Sequence, residues 1–494
     1  MAAVFSGLLL AAVVLREAAR RTLGVSGSVD RWYWKAYTEA AHRTGRTPPE
    51  LPQYVLDEAQ WYPPMYPLFL TRLPARFVEA AEPWLGIVFD VARLGLLLGA
   101  ARALDLPATG VLAAGLVFVS APMLVAYNVQ SNPRAPGALL LDLLVLLVLA
   151  LLTGQAPAWA WVIVGLLGGL VALTHKMTTQ LMWVLCLGGA LGLGDPRLAV
   201  LGLLTPVLAW VMSGGFYTKV LRAHWDIVSF WNRNWPWLQA DPIRESPVYG
   251  QADYVTPTKL HVPGARGVVR HLRGLVRSLP AAWLIPALWV TGLAGPAGGA
   301  ERFIAGWFAV AFGFALATTF VNPLKCLGGG VLYLYNAAFP AALWYGLAVS
   351  GAAHRRSLAA FAGVAIAAQF AIVIALLILG ARQGRRALEP DWEATMSFLQ
   401  SAPRGVVLCL PQNLHDEVAY RTGQPVLFGG HGYGFERLEP VFPRLLMSVL
   451  EMKARYGLRY VLAKPERLNE KLHEDLLKVA TESDFGTYRV FVLA

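Results

Sequence analysis

The sequence predicts a polytopic α-helical membrane protein with a small soluble α/β domain at its C-terminal end. Hydrophobic residues make up 56% of the 494 residues and charged residues only 15%. Apolar runs of about 17–22 residues recur, which is the length that crosses a hydrocarbon core about 30 Å thick. From residue 388 onward the apolar runs are short and alternate with polar stretches, so this part is predicted to lie outside the membrane.

The hydropathy pattern predicts about eleven membrane helices. The first apolar run, residues 2–15, is followed by three arginines without a small-residue cleavage site, which favours a signal anchor over a cleaved signal peptide. Two connections are long, residues 22–80 and 214–280, and the others are short turns. The predicted helices centre at roughly residues 9, 92, 117, 146, 165, 187, 205, 289, 312, 340 and 368.

These segments predict two domains: a transmembrane domain of residues 1–387, which includes both long loops, and an α/β domain of residues 388–494. Strands that alternate with helices are typical of a small α/β layer. We interpret the glycine-rich run at residues 429–434 as a flexible turn, because no Gly-Lys-Ser/Thr follows it as in a phosphate loop. The predicted helices cover residues 392–400, 417–422 and 445–456, and the predicted strands cover residues 405–410, 426–428, 460–463 and 488–493.

Charge and cysteine content exclude several classes of protein. The net charge of +11 indicates contact with anionic lipid headgroups or phosphates. No basic region outside the membrane is long enough to follow a nucleic-acid duplex. The three cysteines lie far apart without Cys-x-x-Cys spacing, so neither a disulfide framework nor a cysteine zinc site is indicated.

The alternation of membrane segments sorts the polar residues by face. With a cytoplasmic N-terminus, the short cytoplasmic loops carry five arginines against three cations outside, which agrees with the positive-inside rule. The long loops and the C-terminal domain then lie on the extracytoplasmic face of a plasma (inner) membrane. Charged residues at the mouth of a helical bundle suit a phosphorylated lipid substrate; those on this face are Asp30, Asp57, Arg134, His175, Lys176 and Lys325.

The first long loop contains the densest polar and aromatic pattern of the chain. Asp30 follows the first membrane segment, and Tyr33 and the pair Thr44-Gly45 come next. The acidic pair Asp57-Glu58 then precedes an aromatic-proline sequence that begins Tyr62-Pro63-Pro64. This order resembles the first extracytoplasmic loop of the GT-C superfamily, the integral-membrane glycosyltransferases that include the aminoarabinose transferases and the protein O-mannosyltransferases.

The resemblance implies an inverting glycosyltransferase that uses a polyprenyl-phosphate sugar and an unknown acceptor, which is a lipid, a glycan or a protein. Asp30 is the candidate general base, because one carboxylate opposite a leaving phosphate suits direct displacement. Aminoarabinose transferases place a lysine directly before the Pro-Pro pair, where this chain has Tyr62. The pattern of paired acids seen in metal-dependent members is broken at Asp30, so no cofactor or divalent metal is predicted. The predicted substrate-binding residues are Tyr33, Asp57, Glu58, Tyr62, Arg134, His175, Lys176 and Lys325.

Other interpretations remain open at this stage. Lysine and arginine at helix ends often reach toward lipid headgroups, and His175 is also typical of a helix-end histidine without a ligand. An O-antigen ligase or polymerase would use the late-loop residues Arg266, Arg270, His271 and Arg273 in place of Asp30. A lipid-linked-sugar transporter or flippase is a third alternative, although transporters usually show paired repeats and broken helices at mid-membrane.

Overall fold

The structure is a computed structural model that describes residues 1–23, 29–238, 245–251, 260–295, 298–351, 355–384 and 390–494. The helices, numbered in chain order, are α1 Ala2–Leu23, α2 Val29–Thr44, α3 Met65–Arg72, α4 Ala75–Ala103, α5 Ala108–Val119, α6 Pro122–Tyr127, α7 Arg134–Leu152, α8 Ala160–Ala172, α9 Lys176–Leu193, α10 Pro196–Met212, α11 Tyr217–Asn234, α12 Gly264–Ser278, α13 Pro280–Val290, α14 Gly299–Phe320, α15 Leu334–Ser350, α16 Arg355–Gly384, α17 Pro390–Ser401, α18 His415–Thr422, α19 Phe435–Leu438, α20 Val449–Tyr456 and α21 Glu470–Val479. The strands are β1 Glu245–Ser246, β2 Gly250–Gln251, β3 Val406–Leu410, β4 Leu458–Ala463, β5 Ala480–Asp484 and β6 Arg489–Leu493.

One compact unit comprises the described residues of 1–27, 80–218 and 268–385, and we call it the membrane unit. Among the described residues, five helices are long and apolar enough to cross a membrane: α1, α4, α7, α14 and most of α16. In the same part of the chain α5, α8, α10 and α13 are apolar but shorter. The prediction of a helical membrane protein is therefore confirmed, whereas the number of eleven membrane helices stays a prediction.

Helix α15 forms the centre of the membrane unit. Every residue from Leu334 to Gly346 is buried, and the helix packs against α5 and α14. The contact with α5 is close because a Cβ atom at Gly110 would lie 2.8 Å from the carbonyl oxygen of Gly346. Small residues at helix crossings bring backbones together, which is how membrane helices gain packing without a hydrophobic driving force between them.

Two buried ion pairs connect α4 to its neighbours, and hydropathy did not reveal them. Arg16 of α1 donates to the Asp90 carboxylate at 2.8 Å, and Arg93 donates to the Asp142 carboxylate of α7 at 2.7 Å. All four side chains are fully buried. A charge inside apolar surroundings is stable only when it is paired, so these pairs fix which face of α4 points toward α1 and α7.

The second compact unit comprises the described residues of 28–79, 219–267 and 386–494, and we call it the loop unit. Both long loops thus share a unit with the C-terminal residues, whereas the sequence places them in the transmembrane domain. The domain boundary at residue 388 stays a prediction. Part of the opening loop is helical, since α2 covers residues Val29–Thr44.

A four-stranded sheet in the order β3-β4-β6-β5 lies in the loop unit. Strands β3 and β4 are parallel, and β4, β6 and β5 pair antiparallel. This confirms the predicted small C-terminal sheet, with two differences. The predicted strand at residues 426–428 is reduced to single bridges from Val426 to Tyr54 and Val407. Strand β5 was missed because it is a polar edge strand, Ala-Thr-Glu-Ser-Asp, without alternating burial.

Candidate active site

The glycine-rich run at residues 429–434 is fixed by a buried carboxylate. The backbone amides of Gly429, Gly430 and Gly432 donate to the Asp57 side chain at 2.8, 2.7 and 3.3 Å. Gly430 has a φ of +80°, which favours glycine. A Cβ atom at Gly432 would overlap the carbonyl oxygen of Asp57. The prediction of a flexible turn is therefore wrong in this respect: the run is an anchored loop.

This loop brings His431 between two carboxylates. Its Nε2 lies 3.4 Å from Oδ2 of Asp416 and 3.8 Å from Oδ1 of Asp30. Asp416 is fully buried, whereas the Asp30 side chain is 36% exposed, so Asp30 is the carboxylate that a substrate can reach. The hydroxyl of Tyr54 donates to the other oxygen of Asp416 at 2.7 Å. We call Asp30, His431 and Asp416 the carboxylate-imidazole cluster.

Helix α2 and the segment after Tyr54 hold this cluster from the other side. The buried ring of Tyr33 stacks on the His431 ring with a centroid distance of 4.1 Å. Its hydroxyl donates to Gln60 Oε1 at 2.7 Å. The Gln60 amide in turn donates to the backbone carbonyls of Asp57 and Glu58 at 2.9 Å. Tyr33 therefore orients the imidazole, because both its ring and its hydroxyl are already engaged.

Electrostatics favour a protonated imidazole in the cluster. Burial lowers the pKa of His431, but the close contact with the Asp416 carboxylate and the negative charges of Asp416 and Asp30 outweigh burial and raise this pKa above its usual value. Burial lowers the pKa of the neighbouring His415, so the two histidines shift in opposite directions. A protonated imidazole at this position faces both carboxylates of the cluster.

Replacing His431 by Gln is expected to flatten the pH dependence of stability. Because the folded-state pKa of His431 is raised, its contribution is fully present below the unfolded pKa of about 6.5 and is lost as pH rises through the raised pKa. The thermal midpoint of the detergent-solubilised wild type should fall with rising pH more steeply than that of His431→Gln. Each kcal/mol of stability that wild type loses in this way lowers its midpoint by about 2–4 °C. The exposed His42, replaced by Gln, is the control. Equal slopes for wild type and His431→Gln would contradict the charged state assigned to the cluster.

The structure places the other predicted residues of the opening loop in different roles. Asp57 is fully buried, and burial raises its pKa while three amides hold its carboxylate, which favours an anchoring role over a substrate contact. Glu58 is exposed. Tyr62 is half-buried and packs edge-on against Trp34, with ring centroids 5.4 Å apart.

Three further predicted residues lie in the membrane unit, two at helix starts and one within a short turn. Arg134 starts α7, and its guanidinium lies 4.8 Å from the ring centre of Tyr127. Lys176 starts α9. Lys325 lies in a short 3₁₀ turn, where its Nζ donates to Asn322 Oδ1 at 2.8 Å.

Packing brings the start of α9 close to α7 and to the turn that contains Lys325. A Cβ atom at Gly137, one turn into α7, would lie 3.0 Å from the Cβ atom of His175, which precedes α9. At the end of the turn that contains Lys325, a Cβ atom at Gly328 would lie 3.1 Å from the terminal methyl of Met177. The Tyr333 hydroxyl also joins this turn to α9, through hydrogen bonds to the Leu327 carbonyl and the Gln180 side chain. The segments that carry Arg134, Lys176 and Lys325 thus lie near one another, and we call these three residues the cationic rim.

His175 itself caps α9. Its ring accepts a hydrogen bond from the Thr178 backbone amide and contacts the Thr178 hydroxyl at 2.8 Å. This is the helix-end role that the sequence left open, and it favours a structural function. The four residues of the ligase interpretation lie along one helix, α12: Arg266, Arg270, His271 and Arg273.

Asp416, His431, Tyr54 and Gln60 were missed by sequence analysis. Asp416 and His431 lie 386 and 401 positions after Asp30, and no spacing rule connects residues that far apart. One signal was present in the glycine-rich run itself. A histidine flanked by glycines on both sides has little side-chain packing from its neighbours, so its position must come from contacts with other segments.

Comparison with solved structures finds matches along nearly the whole chain. ArnT from Cupriavidus metallidurans bound to undecaprenyl phosphate is 13% identical with a TM-score of 0.59, and 98% of each chain is covered. An Archaeoglobus fulgidus oligosaccharyltransferase in complex with Zn and sulfate is 12% identical with a TM-score of 0.57, covering 98% of this chain and 72% of that one. The oligosaccharyltransferase AglB of the same organism, in complex with an inhibitory peptide and a dolichol-phosphate, is 11% identical with a TM-score of 0.51, covering 99% and 74%. No protein-family model and no curated protein matches the sequence.

These matches define the fold. ArnT and AglB are both GT-C membrane glycosyltransferases, and the likeness extends through both units of this chain. The chain therefore has the GT-C fold, which confirms the resemblance seen in its opening loop. At identities of 11–13% the likeness concerns architecture, and the chemistry has to be argued from the residues of this chain.

Proposed function

We propose that this protein is an inverting glycosyltransferase that moves a sugar from a polyprenyl-phosphate carrier to an acceptor hydroxyl. The observation that supports it most directly is the carboxylate-imidazole cluster at Asp30, within a GT-C fold. Asp30 takes the proton of the acceptor hydroxyl while the oxygen attacks the anomeric carbon, and the bond to the carrier phosphate breaks on the opposite face of the sugar. The proton passes to Asp30, and the phosphate leaves with the bonding electron pair.

Inversion is supported by the different surroundings of the two carboxylates. A retaining mechanism needs a second carboxylate about 5 Å from the first that can attack the sugar directly. Asp416 is fully buried, and its oxygens face Tyr54 and His431. Asp57 is likewise buried and held by backbone amides. Asp30 is therefore the single carboxylate of this group that we assign to the reaction.

The carrier lipid is assigned to the membrane unit. The cationic rim of Arg134, Lys176 and Lys325 supplies positive charge for the carrier phosphate. This chain needs such a source of charge because it has Tyr62 at the position before the Pro-Pro pair, where the aminoarabinose transferases have a lysine. A cavity of about 420 Å³, a size typical of ligand pockets, lies among α7, α9, α10 and α14, and its lining is mostly apolar but includes Arg302. Its lining includes Leu144, Val148, Met182 and Leu201, which suit a prenyl chain. The predicted number of about eleven membrane helices belongs to this proposal.

Alanine at Arg134, Lys176 or Lys325 is expected to weaken polyprenyl-phosphate binding. A charge-assisted hydrogen bond contributes about 1.5–3 kcal/mol, which corresponds to roughly 10–100-fold in affinity. Binding of undecaprenyl phosphate to the purified protein measures the effect. Arg197→Ala is the matched control, because Arg197 is paired with Asp195 at a helix start outside the rim. If all three rim variants bind the lipid as tightly as wild type, the phosphate site lies elsewhere.

We place the loop unit on the extracytoplasmic face of a plasma membrane. Segments 28–79 and 386–494 share hydrogen bonds such as those from Gly429 and Gly430 to Asp57, which supports a common side. Glu58→Cys and Glu436→Cys, both at exposed positions, should react with a membrane-impermeant maleimide in intact cells. The three native cysteines are buried and give little background. Labelling of the two variants only after lysis would overturn this orientation.

A further inference from the structure

A stack of two aromatic rings flanked by cations lies on the loop unit, beside the carboxylate-imidazole cluster. The rings of Trp61 and Tyr433 are nearly parallel, with centroids 4.1 Å apart and planes inclined by 16°. Lys219 Nζ lies 5.7 Å from the centre of the Trp61 ring, and the Arg222 guanidinium lies 5.5 Å from that of Tyr433. Both rings are partly exposed and both cations are exposed. We call these four residues the aromatic platform.

The platform is held by the backbone before any ligand arrives. The amides of Trp61 and Tyr433 both donate to the carbonyl oxygen of Ala59, at 3.3 and 2.7 Å, so one atom sets the spacing of the two rings. Lys219 and Arg222 are three residues apart on α11 and therefore share one helix face. A site that is already ordered loses little conformational entropy when a ligand binds.

Flat exposed rings with adjacent positive charge fit a particular ligand chemistry. The C–H face of a pyranose ring packs on an aromatic face, and a carboxylate or phosphate substituent pairs with arginine or lysine. One cation lies over each ring, so the stack presents aromatic surface and positive charge together. The anchored loop also keeps the platform near the cluster, because Tyr433 is two residues from His431 and two residues span at most about 7 Å.

We propose that the aromatic platform binds an anionic saccharide, which is the acceptor of the transfer. This rests on the proposed glycosyltransferase function and names the chemical class of its acceptor. A saccharide unit on Trp61 and Tyr433 places a neighbouring unit beside His431 and Asp30, where its hydroxyl loses the proton. Arg222 and Lys219 pair with the negative groups and select charged over neutral chains.

Binding of trisaccharides to the full-length protein in detergent tests this proposal, with ligand-observed NMR as the readout. The probes are trigalacturonate, which is anionic, and maltotriose, which is neutral. Wild type should bind trigalacturonate about 10-fold more tightly or better, and Arg222→Gln should remove that preference by a similar factor. Trp61→Ala should weaken binding of both probes. Trp225→Ala is the control, because Trp225 is 74% exposed on the same helix.

The outcomes separate the platform from the transfer reaction. Asp30→Asn should lose turnover but keep the preference for trigalacturonate over maltotriose, because Lys219 and Arg222 set that preference. If wild type binds both trisaccharides equally or neither of them, or if Arg222→Gln and Trp61→Ala bind like wild type, the platform proposal is overturned even when transfer activity is present. If the platform variants lose phosphatidylglycerol binding from mixed micelles while trisaccharide binding is unchanged, the platform is a lipid-headgroup contact and the proposal is again overturned. If the wild-type protein shows no transferase activity but the platform variants still lose trisaccharide binding, the platform is supported. That result refutes only the proposed glycosyltransferase function.

Discussion

Replacing Asp30 by Asn is expected to lower turnover by about 10²–10⁴-fold while the affinity for the polyprenyl-phosphate donor stays close to that of wild type. Asn keeps the size and the hydrogen-bonding capacity of the side chain but does not take up the acceptor proton. Asp30 is the more exposed carboxylate of the cluster, and its Oδ1 lies 3.8 Å from Nε2 of His431. Rate and affinity therefore separate, as they should for a group that acts on the transition state.

Two carboxamide variants make this comparison specific. Glu58→Gln removes an exposed carboxylate of the same loop and should leave turnover unchanged. Asp57→Asn replaces one of the two oxygens that accept from the amides of Gly429, Gly430 and Gly432 by an NH₂ donor, so it should lower thermal stability. Any loss of turnover should follow the loss of folded protein. Normal turnover in Asp30→Asn together with a fully folded but inactive Asp57→Asn would mean that the base is Asp57. Full activity in both variants would refute the mechanism.

The parts of the fold that follow from local patterns were predictable. Apolar runs of membrane length gave the helical membrane unit, because hydrocarbon requires internally satisfied backbone groups whatever the tertiary contacts. The apolar strands β3, β4 and β6 were also predicted, since their burial shows in composition. Strand β5 was not, because an edge strand with polar residues on both faces resembles a loop.

Only the site residues that belong to a short sequence motif were predictable. Asp30 and Tyr33 lie together on α2, and their order relative to the Pro-Pro pair indicated a site. His431 reaches that site because Asp57 anchors residues 429–432, a contact across more than 370 positions. Asp416 on α18 is held there by the hydroxyl of Tyr54, across 362 positions. No periodicity contains that information. The same limit applies to the ion pair of Arg93 and Asp142. A hydropathy average over each helix is still apolar, so it does not show that the two charges pair with each other.

Replacing Arg93 by Met is expected to destabilise the membrane unit by about 3–5 kcal/mol, the cost of leaving a buried charge without its partner. The Asp142 carboxylate accepts from the Arg93 guanidinium at 2.7 Å, and both side chains are fully buried. The guanidinium also lies 4.9 Å from the ring centre of Tyr335 on the central helix α15, so its loss removes a contact there as well. Thermal denaturation in detergent measures the change.

A double substitution distinguishes lost charge pairing from lost packing. Arg93→Met combined with Asp142→Leu removes both charges and keeps apolar volume, so it should recover most of the stability, because two well-packed apolar residues often replace a buried ion pair without loss. Arg102→Met, at an exposed position of the same helix, should stay within about 0.5 kcal/mol of wild type. If the double variant is no more stable than Arg93→Met, the contribution of Arg93 comes from its packing against Tyr335 and Phe118, whose ring centre lies 5.6 Å away, and the pairing with Asp142 is not what holds α4 to α7.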